Sequence, residues 1–324
     1  AASYDMGANA LTLDGYQDKT GRENVIFQTN LVSEFTMGGL AHTLLVGAEY
    51  ADQASANSRN DNVFADTNDD QTIVALSRPL TLPDFAFSQP VRHRESDVQV
   101  LSFYAQDQID LGQYFKLIAG VRFDRFGIDV NDIRNAARFS RTDEEISPRL
   151  GMIYKPVENV SAYASYSKSF LPRSGDQFLD LTDANSQLEP EEFDNQEIGI
   201  KWDIHPSLSL TAALFRLDRD TTERTADGED SFVTTSQTEG FELQLGGQAS
   251  DRWRVDVGYS YLDSELADGS ARSQVPTHMF SVWNRYDVSS QLGLGLGVTY
   301  QDEQFASASN AATVPDFTRV DAGI

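Results

Sequence analysis

The sequence predicts a transmembrane antiparallel β-barrel, and three observations carry that prediction. Many segments alternate apolar and polar residues with a period of two, as half-buried strands do. The connections between them are by turns short and long, as in bacterial barrels with tight periplasmic turns and longer external loops. No stretch approaches the roughly 20 apolar residues that a membrane helix needs, and closed sheets are the other way to satisfy every backbone polar group in lipid.

Composition sets the outer limits. The chain has 324 residues, 23% of them charged and 10% aromatic, which suits a folded protein rather than a disordered one. It has no cysteine, which excludes thiol chemistry and Cys-ligated metals. Fifty acids against 25 bases give a formal charge of −25, the wrong sign for a phosphate backbone, so no nucleic-acid partner is expected. A mean hydropathy of −0.40 is compatible with a barrel, because only alternate strand residues meet lipid.

Taken in order, the alternation predicts about thirteen strands: 24–35, 42–54, 97–110, 115–129, 144–155, 160–170, 193–204, 208–219, 234–246, 252–263, 275–287, 291–301 and 314–324. An earlier one in 3–13 would make about fourteen. The pattern is sharpest in 115–124, with Phe115, Leu117, Ala119, Val121 and Phe123 on one face and Lys116, Gly120, Arg122 and Asp124 on the other. It recurs as Ile198, Ile200, Trp202 and Ile204 against Glu197, Gly199, Lys201 and Asp203. Leu292, Leu294, Leu296, Val298 and Tyr300 stand likewise against Gly293, Gly295, Gly297, Thr299 and Gln301.

Short turns are expected near 37–39, 111–114, 155–159, 205–207, 246–251 and 288–290, and long polar loops near 55–95, 130–143, 171–192, 220–232, 264–274 and 302–313. Tyr259, Tyr261, Trp202 and Trp283 are candidates for aromatic girdles at the two interfaces. The N-terminus lacks signal-peptide character and the last residues read as mid-strand. The chain is therefore expected to be a stretch of a larger barrel.

Several segments together resemble one family. They include Tyr104-Ala105-Gln106-Asp107-Gln108, Ala119-Gly120-Val121-Arg122-Phe123-Asp124, Ser147-Pro148-Arg149-Leu150-Gly151 and Tyr163-Ala164-Ser165-Tyr166-Ser167-Lys168-Ser169-Phe170. Leu188-Glu189-Pro190-Glu191, Glu197-Ile198-Gly199-Ile200-Lys201, Gly240-Phe241-Glu242-Leu243, Val275-Pro276-Thr277-His278 and Val314-Pro315-Asp316-Phe317 follow in the same order. This set resembles the barrel of TonB-dependent siderophore receptors.

The resemblance implies an outer-membrane barrel of 22 strands, plugged by an N-terminal domain, of which residues 1–324 are a partial barrel lacking the plug and the first and last strands. It implies active import of a ferric siderophore, energised by the TonB–ExbB–ExbD complex through the plug, with lipopolysaccharide and outer-membrane lipid as neighbours. The phrase Leu171-Pro172-Arg173-Ser174-Gly175 looks more like catecholate receptors than hydroxamate ones. No intrinsic cofactor is expected, since the iron arrives already chelated. A passive porin, or a TonB-dependent receptor for another large nutrient, is the alternative.

Candidate ligand residues are those bringing aromatic and cationic groups together in long loops: Phe85, Phe87, Arg92, His93 and Arg94 in the first, Arg173 and Phe178 in the next. Cations attract an anionic chelate and aromatic rings pack on its ligand. The competing reading has the phenylalanines packing the loop and the arginines paired with Glu95 and Asp97. Asp66-Thr67-Asn68-Asp69-Asp70 opens like a calcium loop, but Gln71 stands where glycine is needed and Ser77 where the closing Glu belongs, so a solvated acidic loop is expected. The four histidines, His42, His93, His205 and His278, have no metal-ligand spacing. No G-x-S-x-G motif occurs, and no enzymatic activity is expected.

Overall fold

The structure is a computed structural model that describes all residues except 1, 2, 6, 8, 77–80, 173–177, 183–185, 187, 225–230 and 308. Its strands are β1 (Ser3–Asp5), β2 (Ala10–Asp14), β3 (Tyr16–Met37), β4 (Leu40–Phe64), β5 (Gln71–Ala75), β6 (Phe85–Phe87), β7 (Arg92–Leu111), β8 (Phe115–Asp132), β9 (Ala137–Val157) and β10 (Val160–Leu171). Then follow β11 (Glu191–His205), β12 (Leu208–Arg224), β13 (Ser231–Ser250), β14 (Trp253–Leu266), β15 (His278–Asp287), β16 (Gly293–Gln301), β17 (Gln304–Phe305), β18 (Thr313–Val314) and β19 (Phe317–Gly323). Helices are absent among the described residues.

One antiparallel sheet runs β19-β16-β15-β14-β13-β12-β11-β10-β9-β8-β7-β4-β3, each long strand hydrogen-bonded to its sequence neighbours, with β6 beside β4. Every strand predicted from 24 onward has its counterpart in this path. The segment 3–13 does not join it: it splits into β1 and β2, which pair with β5 in a small sheet of their own. Two loops also differ from expectation. Residues 55–95 hold the end of β4, then β5 and β6. Residues 130–143 shrink to a tight connection, because β8 and β9 stay paired out to Asp132 and Ala137.

Strand lengths explain both differences. About 9–11 residues carry a tilted strand across a bilayer, yet β4 has 25 and β9 has 21. The surplus lies at the long-loop end, where both faces meet water and alternation no longer marks a strand. At the opposite end the turns are tight, and Gly38 and Gly39 take positive φ of 62° and 83°, as a two-residue hairpin of the primed type requires.

Cross-strand register sorts the two faces. Trp202, Leu210, Leu245, Val257, Val282 and Val298 form one continuous row from β11 to β16. They share the outward face with exposed Leu31, Phe103, Ile198 and Leu214. Along β14 this apolar face runs from Trp253 to Tyr261, about 26 Å of strand at about 3.3 Å per residue, comparable to the apolar band of outer-membrane barrels. Phe115 and Tyr154, stacked at 4.7 Å, and Trp253, bonded to Asn284, mark its lower edge. Tyr261 and Tyr259, grouped with His278, mark the upper one.

Trp283 does not belong to this girdle. It is the register partner of Gly297 and of Asp256, on the inner face, where it lies over the bare backbone of Gly295 and Gly297.

Candidate functional site

The inner wall is polar, with its charges arranged in short ion pairs. An arginine and an aspartate two residues on lie side by side on one strand face, a spacing that a period of two dictates. Arg122 binds Asp124 at 2.8 Å, Arg141 binds Asp143 at 2.6 Å, Arg254 binds Asp256 at 3.1 Å and Arg319 binds Asp321 at 2.8 Å. Arg122 also reaches Glu49 at 3.3 Å and the Ser102 hydroxyl, which itself donates to Asp124. Neutralising each arginine locally keeps the wall hydrophilic without a strong net field.

Aromatic rings cover the same wall where the facing residue has no side chain. Tyr163 lies against Gly199, and a Cβ added there would stand 2.6 Å from the ring. A Cβ on Gly297 would come as near, 2.5 Å, to Trp283.

Near the mouth, the described residues Phe178–Leu181, Ser186 and Leu188 of the β10–β11 connection lie against the inner faces of β7, β8 and β9. Leu181 is fully buried in a cluster with Val98, Phe126, Ile128 and Val130, and Phe178 rests on Phe126 at 5.4 Å between ring centroids. Polar clasps hold the segment on both sides. Arg94 binds Asp132 at 3.0 Å and donates to the Leu179 carbonyl, also at 3.0 Å. Arg141 donates to the carbonyls of Ser186 and Leu188. Asp180 takes Arg92 at 3.5 Å and Arg94 at 3.6 Å. Phe178 has a positive φ of 55°, a conformation uncommon for a bulky residue and held here by the packing around it.

The candidate ligand residues therefore divide. Arg92, Arg94 and Phe178 converge on this clasp, although they are distant in sequence. Arg92 further donates to Asn57 at 2.9 Å and pairs with Asp18. Glu95 and Asp97 are not the arginines' partners: they point from the opposite face of β7, as alternation requires. His93 lies in β7 opposite Ser58, and its carbonyl accepts from Ile133. Phe85 and Phe87 form an edge contact at 5.7 Å on β6, half exposed at the rim beside β4 and away from the clasp. Arg173 lies outside the described residues. Sequence reasoning missed Asp132, Arg141 and Asp180, which carry no local motif.

The acidic run 66–70 forms a turn, with Thr67 donating to the Gln71 carbonyl and Asp66 accepting from Thr72. His42 binds Asp107 at 2.7 Å and stacks on Phe35.

A family described as "TonB dependent receptor-like, beta-barrel" matches residues 2–324. Among curated proteins, the chain is 30% identical over 344 residues to a probable TonB-dependent siderophore receptor, PiuA, of Acinetobacter baumannii, covering 94% of this chain and 46% of that one. It is 29% identical to the metal-pseudopaline receptor CntO of Pseudomonas aeruginosa, covering 91% and 44%. To the catecholate siderophore receptor Fiu of Escherichia coli it is 24% identical, covering 90% and 43%. The crystal structure of PiuA superposes with a TM-score of 0.87 at 28% identity, covering 98% of this chain and 51% of that one. The chain spans about half the length of the curated relatives it matches.

Proposed function

Since this chain belongs to the TonB-dependent receptor β-barrel family, whose members are outer-membrane barrels, we propose that it forms wall and mouth of a receptor that imports a ferric siderophore across that membrane, with TonB supplying the work. The observation that carries this reading is the clasp on Phe178–Leu181, Ser186 and Leu188. It narrows the mouth from inside, as suits a receptor that must hold a scarce, bulky chelate rather than pass small solutes freely.

In this reading the paired charges of the inner wall face a plug domain, and the transported iron is cargo held by its chelator. Arg92 and Arg94 act first as positioning residues for the mouth segment, while Phe85 and Phe87 are the rim groups offered to the ligand. The likeness to Fiu supports a catecholate, and the likeness to CntO keeps other metal chelates in view.

The test is uptake of radiolabelled iron from a panel of chelates, in cells with and without the gene and with and without TonB. Uptake of one chelate class should require both. Uptake that persists without TonB would favour a passive pore, and undiminished growth of the deletion strain on every chelate would overturn the receptor reading.

A further inference from the structure

Arg122, Arg141, Arg254 and Arg319 are each neutralised on the inner wall by an aspartate two residues on. On β9 that pattern breaks. The residue two on from Arg149 is Gly151, and those facing Arg149 across the sheet are Gly120 and Ser167, so no carboxylate stands beside it. Lys155 lies below it on the same strand, about 20 Å away at about 3.3 Å per residue. Lys201 stands on β11 at the level of Ser161, its register partner on β10.

With Lys116, these three cations line one hollow of about 650 Å³ on the inner side of β8 to β11, a volume within the range of ligand sites. Lys116 is held by Asp110 at 2.6 Å. Arg149, Lys155 and Lys201 make no ion pair among the described residues. Glu197, the carboxylate of the hollow, accepts the Tyr163 hydroxyl, and Lys201 sits over the Tyr163 ring at 5.7 Å. Asp203, next below Lys201 on the same face, accepts from Ser209 at 2.6 Å. Gly151, Ser161, Ser165 and Ser167 leave room between the cations. On a chain with a formal charge of −25, this strip reverses the sign locally.

We propose that this strip is an anion track, along which a ferric chelate of net negative charge passes from the mouth toward the periplasm, meeting Arg149 first and Lys201 and Lys155 last. This rests on the receptor reading above and narrows its cargo to chelates whose catecholate or carboxylate oxygens leave the complex anionic. Arg149 lies on β9 below Arg141, so the track begins beneath the clasp. A wall of one sign concentrates the opposite ion beside it, and basic side chains line pores that pass anions. Spacing matters as much as sign. Three cations spread over about 20 Å give successive weak holds in place of one deep well, so the anion can enter and still leave. The paired arginines elsewhere on the wall have no charge to spare, and charge complementarity therefore puts the cargo on β9 to β11.

Thiol modification of the whole receptor in intact cells tests this. Ser165→Cys puts a thiol in the strip, and Ser260→Cys, on the inner face of β14 opposite Glu242, is the control. Each is treated with an anionic methanethiosulfonate, the sulfonatoethyl reagent, and a cationic one, the trimethylammonioethyl reagent. The ratio of anionic to cationic rates should be about tenfold higher at position 165, the low end of what a focused field does to association. Combining Arg149→Gln, Lys155→Gln and Lys201→Gln should bring that ratio down to the control. The same triple variant should lower the maximal uptake rate of a ferric tris-catecholate by about tenfold, and Arg149→Lys alone should keep wild-type uptake. Equal ratios at the two thiols overturn the proposal, as does wild-type uptake in the triple variant or import of neutral chelates only. A thiol at 165 that neither reagent reaches in importing cells also overturns it, and assigns the strip to a resident carboxylate of the plug. The reagent ratio needs no transport, so failure of the receptor reading shows separately, as wild-type cells that import no ferric chelate.

Discussion

Tyr163 lies flat on the inner wall because the residue facing it across β10 and β11 is Gly199. Overpacking of this kind costs about 1–3 kcal/mol, so Gly199→Ala should destabilise the folded barrel by about that amount in urea titrations followed by heat-modifiable gel mobility. Adding Tyr163→Ala should recover part of the loss, because neighbours in contact are not additive; strict additivity would contradict the contact. Arg94 is a second single-residue case. Its partner Asp132 is only 5% exposed and keeps the bonds that the Asn135 backbone and side-chain amides donate, so Arg94→Ala removes one charge-assisted bond, worth about 1.5–3 kcal/mol. The expected signature is local: hydrogen-exchange protection of residues 179–181 falls while that of β14 to β16 is unchanged. In the 266–271 turn, the Ser270 hydroxyl and N–H donate to Asp268 and hold its carboxyl below its usual value. A lowered carboxylate pKa stabilises above the unfolded value and loses that effect as pH falls through the folded one. The protection factor at Ser270 should therefore drop below about pH 4, and Asp268→Asn should remove that pH dependence.

At the scale of strands, the two faces of β16 make opposite predictions for adjacent residues. Val298 faces outward in the middle of the apolar row, and Thr299 faces inward beside Ser281 and Arg319. An arginine at mid-bilayer depth costs about 2–4 kcal/mol, so Val298→Arg should sharply reduce folded protein in the membrane. Thr299→Arg should be well tolerated, and equal loss from both would mean the faces are misassigned. This inside–outside sorting was legible in the sequence, because lipid imposes it on every second residue of a spanning strand. The ends of β4, β8 and β9 were not, since beyond the apolar band Asn57, Asn131 and Thr142 carry no apolar alternation to mark a strand. Trp283 misled because an aromatic next to a girdle is ambiguous until its register partner, Gly297, is known. The clasp was illegible for another reason: Arg94–Leu179 and Arg141–Leu188 join a strand to a distant connection, and no local pattern encodes such a meeting.

For the molecule as a whole, the question is whether the mouth segment must move for cargo to pass. These 324 residues contain no cysteine, so no other thiol of this stretch competes with an introduced pair. Val98→Cys with Leu181→Cys places both thiols in one buried cluster. Bridged by oxidation or a short bismaleimide, this pair should leave chelate binding to cells intact and suppress uptake, with reduction of the disulfide form restoring it. Uptake unaffected by the bridge would mean the route bypasses the contact of Leu181 with Val98.

The clasp also bears on how such receptors can be re-engineered. The segment leaves from β10 and returns to β11, yet its seat is Val98, Phe126 and Ile128, and its fasteners are Arg94 and Arg141, all on neighbouring hairpins. It is therefore not a cassette that can be cut out at its own ends and grafted. A chimera that inherits the loop without those wall residues receives a sequence with nowhere to rest, whereas exchanging β7 to β11 as one block carries lock and bolt together.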